Sequence, residues 1–484
     1  MKKHSIGFNA LVNGFSNILS LFFPLITFPY ISRILSVQSI GIFNFSNTYI
    51  SYFILIAALG IPTYAVREGA KYRVNRDQLS KFSSQIFTIN IVSTVIAYLL
   101  LFISLVVFSN LNKYITCILI FSTEILFTTL GTEWIYTIYE NYSYIALRSI
   151  LFKIVSILFL FLFVKSKNDY LIYAAIIAFA TVGSNILNFF HAREFVDLHL
   201  TFNTNWRNHI KPILIIFANT ISVTIYSISD VTLLGLLKND YAVGIYTIAT
   251  RINSAAVSAL GAIITVTIPR LALLLGRRKI KDFNITLNKV INSVMILIFP
   301  AGVGLMMLSR EVILLLSGPK YLRSVLSLQI LCFALIISAF SRIFSDCILI
   351  PAKREKMVLK NTVITAVLNV VLNFILIPSM SYDGTSLSTV ISEFCVMVLN
   401  AYDARDILKH SIRSLENLRN FVSVIIGCIG IVIVCIFCNF NCHLMLVKMA
   451  LSVLFSIVVY ICILILLKNT TAIRFLNKLK YRLK

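Results

Sequence analysis

The chain has 484 residues, of which 58% are hydrophobic and 13% charged, with 43 Lys and Arg against 19 Asp and Glu and a net charge of +24. Soluble domains run at about 45–50% apolar and about 25% charged, so an ordinary soluble enzyme, a disordered chain and a disulfide-built secreted scaffold are excluded. The basic residues lie in short runs between apolar stretches, which points to membrane topology and away from nucleic acid.

A membrane helix needs about 20 apolar residues, and at roughly 35 residues per span and connection the length accommodates about 14. Apolar runs fall near 8–31, 40–66, 82–109, 112–139, 143–164, 169–190, 209–237, 241–269, 285–308, 322–350, 357–377, 384–402, 420–438 and 443–467. Continuous runs of this length are helices; barrel strands would show alternating segments of ~10 residues. The first run follows Lys2 and Lys3 as a signal peptide would. It is too long for one, its end (FPYISR) has no small-residue cleavage site, and further spans follow, so it is expected to be a mature helix. The expected fold is all-α integral membrane, with about 14 transmembrane helices by the same length argument.

Counting Lys and Arg in alternate connections tests the orientation. With a cytoplasmic amino terminus, 32 basic residues fall on the cytoplasmic side and 9 on the other, with Arg251 and Arg342 inside spans. This bias places both termini in the cytoplasm, and because losing or adding one span would break the alternation downstream, it supports fourteen. The halves also resemble each other. Gly41 and Arg67 stand 26 apart, as do Gly244 and Arg270, in matching contexts (SIGIF against AVGIY) offset by 203 residues. Parallel repeats of transporters have this form. The resulting division is an amino-terminal lobe over 1–190, a linker over 191–208 and a second lobe over 209–402. An amphipathic cytoplasmic linker over 403–419, a helix pair over 420–467 and a basic tail over 468–484 follow.

Ionisable residues inside the apolar runs are costly and usually face a bundle interior or a wet cavity. They are Glu124 and Glu133 in the fourth span, Lys153 in the fifth, Asp230 in the seventh, Arg251 in the eighth, Arg342 and Asp346 in the tenth, and Glu393 in the twelfth. Arg342 and Asp346 are four apart and suit an ion pair on one helix face. Glu124 and Glu133 differ by nine residues, about 900° of rotation, so one continuous helix would put them on opposite faces. Two readings are open for Arg251: an internal pair with Asp230, or a group that attracts a ligand phosphate, which a guanidinium matches bidentately. The carboxylates divide between polar contacts among helices and cation coupling. Lys153 is long enough to snorkel to the cytoplasmic face.

Cys435, Cys438, Cys442 and His443 imitate a metal-ligand run, but no second pair completes the set and a metal is not expected. Walker, GxGxxG and paired-CxxC motifs are absent from the sequence, and no connection is long enough to hold a nucleotide-binding domain. Transport energy would then come from an ion gradient, the membrane potential or the cargo's own gradient. No cofactor is expected.

Several runs then carry a family resemblance. Phe28-Pro29-Tyr30-Ile31-Ser32-Arg33-Ile34-Leu35, Gly41, Tyr52-Phe53, Leu59-Gly60, Tyr64 and Arg67-Glu68 resemble the opening of bacterial polysaccharide flippases of the Wzx type, within the MOP exporter superfamily. Leu308-Ser309, Tyr321, Leu328-Gln329-Ile330-Leu331, Leu349-Ile350-Pro351, Asn369, Leu372-Asn373, Leu376-Ile377-Pro378, Gly384, Thr389 and Glu393 fit the same family. Ser36 and Cys347 depart from its usual Gly and Gln. The resemblance implies two six-helix lobes around a central cavity, plus a final helix pair. It implies flipping of an undecaprenyl-diphosphate-linked oligosaccharide by alternating access for O-antigen, capsule or teichoic-acid type polymers, in the bacterial cytoplasmic membrane. On that reading Arg251, Arg342 and Arg33 are candidates for the diphosphate and sugars. Glu124, Glu133, Asp230, Asp346 and Glu393 are candidates for coupling to H+ or Na+. Membrane lipids and a polysaccharide polymerase would be partners, and no enzymatic step is expected. The alternative is a MATE-like, cation-coupled multidrug exporter, whose substrates would favour a more acidic cavity.

Overall fold

A computed structural model describes residues 26–408 and 415–475. Every regular element among them is helical. The chain divides into two compact units, Met1–Gly244 and Ile245–Lys484.

In unit 1, α1 is described over 26–34, and most of the expected first span, 8–31, lies outside the described residues. There follow α2 (Val37–Ala58), α3 (Ile61–Gly69), α4 (Arg76–Val107), α5 (Ile115–Gly131), α6 (Glu133–Ile138), α7 (Tyr142–Phe163), α8 (Tyr170–Ala192) and α9 (Trp206–Leu237). The helix α10 (Asp240–Gly276) begins here and runs into unit 2. Local chemistry sets the ends. The Ser36 hydroxyl accepts from the Ser39 amide at 3.0 Å and caps α2, and the Asn75 side chain does the same for α4. These caps occupy amide donors that a helix start leaves without partners. α2 ends where Leu59 and Gly60 take left-handed backbone (φ 47 and 74) and Pro62 lies in the first turn of α3. The expected span 40–66 is therefore broken.

Unit 2 continues with α11 (Ile280–Met307), α12 (Ser309–Leu316), α13 (Ser324–Arg342), α14 (Glu355–Asp403), α15 (Arg405–Leu408), α16 (Leu415–Asn441) and α17 (Met445–Leu466). A π-helical turn over Ile343–Leu349 extends α13. The expected spans 357–377 and 384–402 form one 49-residue element, interrupted at Ser381 with φ 54 and ψ −129. α15 covers part of the expected amphipathic linker, whose residues 409–414 lie outside the described ones. Asparagines join α11 to the last helix pair: Asn292 donates to Asn417 Oδ1 at 2.8 Å, and Asn420 donates to Asn292 Oδ1 at 3.0 Å.

Among the described residues, eleven helices are long and apolar enough to cross a membrane, and a twelfth is α10, bent by 40° between Gly261 and Ile264. Each expected span from 40–66 onward falls on one of these. Their outer faces would be untenable in water. Val95, Leu99, Phe102 and Val106 are each more than half exposed along one stripe of α4, as are Ile429, Ile433 and Phe437 on α16. Apolar surface on that scale is stable against acyl chains, so this is a multi-pass membrane protein.

Candidate functional site

The repeat read from the sequence has a structural counterpart at the start of α2 and α10. The Asn239 side chain accepts from the Ala242 amide at 2.9 Å, which repeats the Ser36–Ser39 cap 203 positions later. A Cβ added at Gly41 would collide with the Asp240 carbonyl, and one added at Gly244 would collide with the Val37 carbonyl. Adding 203 to 37 and to 41 gives 240 and 244, so the offset exchanges the two contacts. Each glycine lets its helix start approach the other's backbone. Beside this crossing, Lys113 Nζ reaches both Asp240 oxygens at 3.0 and 2.9 Å, and the buried Tyr114 hydroxyl donates to the same carboxylate.

In unit 2, Arg251 is partly exposed on α10. Arg342, at the end of α13, lies against α10: a Cβ at Gly261 would fall 2.6 Å from its Nη1. The surrounding side chains are mainly apolar and include Leu260, Ile264 and Ile298. Its Nε is 3.7 Å from Asp346 Oδ2, and the Ser345 hydroxyl donates to Asp346 Oδ1 at 2.7 Å. This pair stands where the backbone switches to π geometry, a feature frequent at functional sites. Glu393 is partly exposed on α14. Between α11, α16 and α17 runs a groove of about 780 Å³. Its wall is almost wholly apolar, with Leu297, Pro300, Val453, Ile457 and Leu464 among its side chains.

Unit 1 carries the remaining candidates. Arg33 is exposed at the end of α1. Asp230 is buried on α9 near Tyr52, whose hydroxyl shares a 3.1 Å hydrogen bond with Thr232. Glu124 is buried in α5 with Thr181 as side-chain partner, and its Oε1 has no hydrogen-bond partner among the described residues. The one-helix geometry expected for Glu124 and Glu133 does not hold. The span breaks at Thr132 (φ 41), and Glu133 opens the separate helix α6. Glu133 lies 3.7 Å from Arg148, a cation buried on α7. Lys153 shares a hollow with both. The signal available in the sequence was a basic pair five residues apart inside an apolar run. Cys435 and Cys438 are buried in α16, and Cys435 faces the Ser456 hydroxyl at 3.8 Å.

Long helices with apolar outer faces, charges retained inside them and a helix start that recurs 203 positions later define a polytopic membrane protein. Residues 6–275 match the model of a family described as "Polysaccharide biosynthesis protein". The chain belongs to that family. It is 23% identical over 401 residues to a protein of Escherichia coli (strain K12) named "Putative O-antigen transporter", spanning 82% of this chain and 95% of that one. Among solved structures it is similar to the lipid II flippase MurJ in an inward closed conformation. The TM-score is 0.74 at 17% identity, over 94% of this chain and 97% of that one. It is also similar to an inward-facing multidrug resistance MATE family transporter of the MOP superfamily. There the TM-score is 0.62 at 15% identity, over 81% of this chain and 96% of that one. These likenesses show that the chain shares the helical fold of those two proteins.

Proposed function

We propose that the protein is a flippase that moves an oligosaccharide linked by diphosphate to a polyprenol across the bacterial cytoplasmic membrane. It does so by alternating access, for surface polysaccharide assembly, and leaves the cargo's covalent structure unchanged. The observation that carries this reading is the pair of arginines in apolar spans of unit 2, Arg251 on α10 and Arg342 against Gly261. A guanidinium in such a span is costly, and a diphosphate passing by offsets that cost through charge-assisted bidentate bonds. The family and the E. coli relative supply the class of cargo. The apolar groove beside α11, α16 and α17 suits a prenyl chain.

In this reading Arg251, Arg342 and Arg33 contact the diphosphate and sugars. Glu124, Glu133, Asp230, Asp346 and Glu393 are the candidates for coupling to H+ or Na+. Both termini face the cytoplasm, where basic connections attract anionic headgroups by about 1 kcal/mol per nearby Lys or Arg. A polysaccharide polymerase would receive the flipped cargo.

The test is reconstitution in vesicles with a lipid-linked oligosaccharide whose outer-leaflet fraction is read by a membrane-impermeant glycosidase. Wild type exposes the cargo at unchanged mass. Arg251→Gln abolishes exposure at normal protein abundance, and Arg251→Lys keeps part of it. Full transport by Arg251→Gln would remove this arginine from the site. The MATE-like fold supports a second reading as a cation-coupled drug exporter, which predicts increased drug sensitivity on deletion without loss of surface polysaccharide.

A further inference from the structure

Unit 1 contains a polar hollow of about 480 Å³ bounded by α6, α7 and α8. Arg148, Lys153, Glu133, Ser149, Thr181 and Asn185 are on its wall. Its lining carries two cations and one carboxylate, and the Glu124 carboxyl, off the lining, pairs with Thr181.

Arg148 is the unusual group. Its side chain is only 6% exposed, and its Nη2 is 3.7 Å from Glu133 Oε1, beyond hydrogen-bond length. Its Nε and Nη1 have no hydrogen-bond partner among the described residues. A guanidinium carries five N–H donors and no acceptor, and leaving donors unsatisfied at depth is expensive. Glu133 does not supply what is missing, because its own side chain is 56% exposed.

The backbone around the hollow carries an independent signal. The span breaks at Thr132 (φ 41), and at membrane depth non-helical backbone is tolerated where it lines a wet cavity or is covered by protein. Close helix contacts flank the opening. A Cβ at Gly131 would collide with Asn185, and one at Gly183 with the Phe152 ring. α8 is thus drawn against α5 and α7 at these glycines while the polar space beside them stays open. On the outer flank of α7, Leu147, Leu151 and Leu158 are 71%, 55% and 56% exposed, which sets acyl chains beside the hollow.

We propose that this hollow binds a phosphate oxyanion, with Arg148 and Lys153 as its cationic ligands and Ser149 and Asn185 as neutral donors. An oxyanion accepts the N–H bonds that Glu133 leaves unmade, and the planar guanidinium fork matches two phosphate oxygens. The site is separate from Arg251 and Arg342 of unit 2, and the proposal does not depend on the flippase reading. Two sources carry this chemistry: the headgroup of an anionic bilayer lipid and a soluble phosphate or diphosphate.

The full chain, purified in neutral detergent, is tested with two probes. One is phosphatidylglycerol in phosphatidylcholine nanodiscs, read by lipid retained in native mass spectrometry. The other is inorganic diphosphate, read by thermal shift. Retained phosphatidylglycerol that falls about tenfold in both Arg148→Gln and Lys153→Gln supports a lipid headgroup. A shift with diphosphate alone, lost in the same two variants, supports a soluble ligand. The exposed Lys81→Gln serves as a control for bulk charge. Arg148→Gln also removes the costly donors, so its unliganded melting temperature stays level or rises. Binding of either probe that is equal in wild type and both variants, or no binding of either, overturns the proposal.

Discussion

The backbone carbonyl of Asp240 occupies the place that a methyl group on Gly41 would need. The reciprocal relation joins Gly244 to the Val37 carbonyl, so a twofold contact is built from positions 203 apart. Gly41→Ala and Gly244→Ala are each expected to destabilise the protein by about 1–3 kcal/mol, the range for overpacking a close contact. The double variant should fall short of the sum, because the two sites share one crossing. Chemical denaturation of all three in detergent checks this, and a neutral Gly41→Ala would refute the crossing.

Asp240 holds two partners of unequal worth. The Lys113 side chain is 50% exposed, and exposed ion pairs contribute about 0–1 kcal/mol. Tyr114 is buried, and its hydroxyl donates to a carboxylate, a bond worth about 1.5–3 kcal/mol. Tyr114→Phe should therefore cost more stability than Lys113→Met. Melting curves that rank them the other way would show that the lysine dominates.

The Glu311–Lys448 pair joins α12 to α17 with side chains 8% and 15% exposed. Lys448 also donates to Asn439 Oδ1. Removing one partner of a buried pair costs about 3–5 kcal/mol, whereas replacing both by apolar groups is often neutral. Glu311→Leu alone should destabilise strongly, and adding Lys448→Met should restore most of the loss. Urea unfolding of the two variants measures the recovery.

Arg354 clamps Asp406 with Nη1 to Oδ1 at 2.8 Å and Nη2 to Oδ2 at 2.6 Å. The guanidinium holds the Asp406 carboxyl below its usual range. A depressed carboxyl contributes stability that is present above its unfolded value, about 3.9, and is lost as pH falls through the folded one. Because the side chains are 30% and 55% exposed, that contribution is at most about 1 kcal/mol and is screened by salt. Wild type and Asp406→Asn should differ by that margin at neutral pH and converge in acid. A gap that persists below pH ~3 would mean the clamp acts without the charge.

Hydropathy is a sum over neighbours along the chain, so the membrane class, the placement of the spans from 40–66 onward and the charges within them were legible from the residues alone. The offset of 203 was legible too, because a repeated fold keeps its helix-start signals, here Ser36 with Gly41 and Asn239 with Gly244. Breaks within spans were not. Thr132 lies inside the expected run 112–139, and its left-handed φ of 41 leaves no mark in hydropathy, whereas the break at Ser381 (φ 54) falls in the connection expected between 357–377 and 384–402. Nor did spacing show that Arg148 is buried beside Glu133, or that Glu311 meets Lys448. Solvation of a charge depends on which helices surround it, and in lipid those neighbours are chosen by packing and hydrogen bonding between segments far apart in the chain.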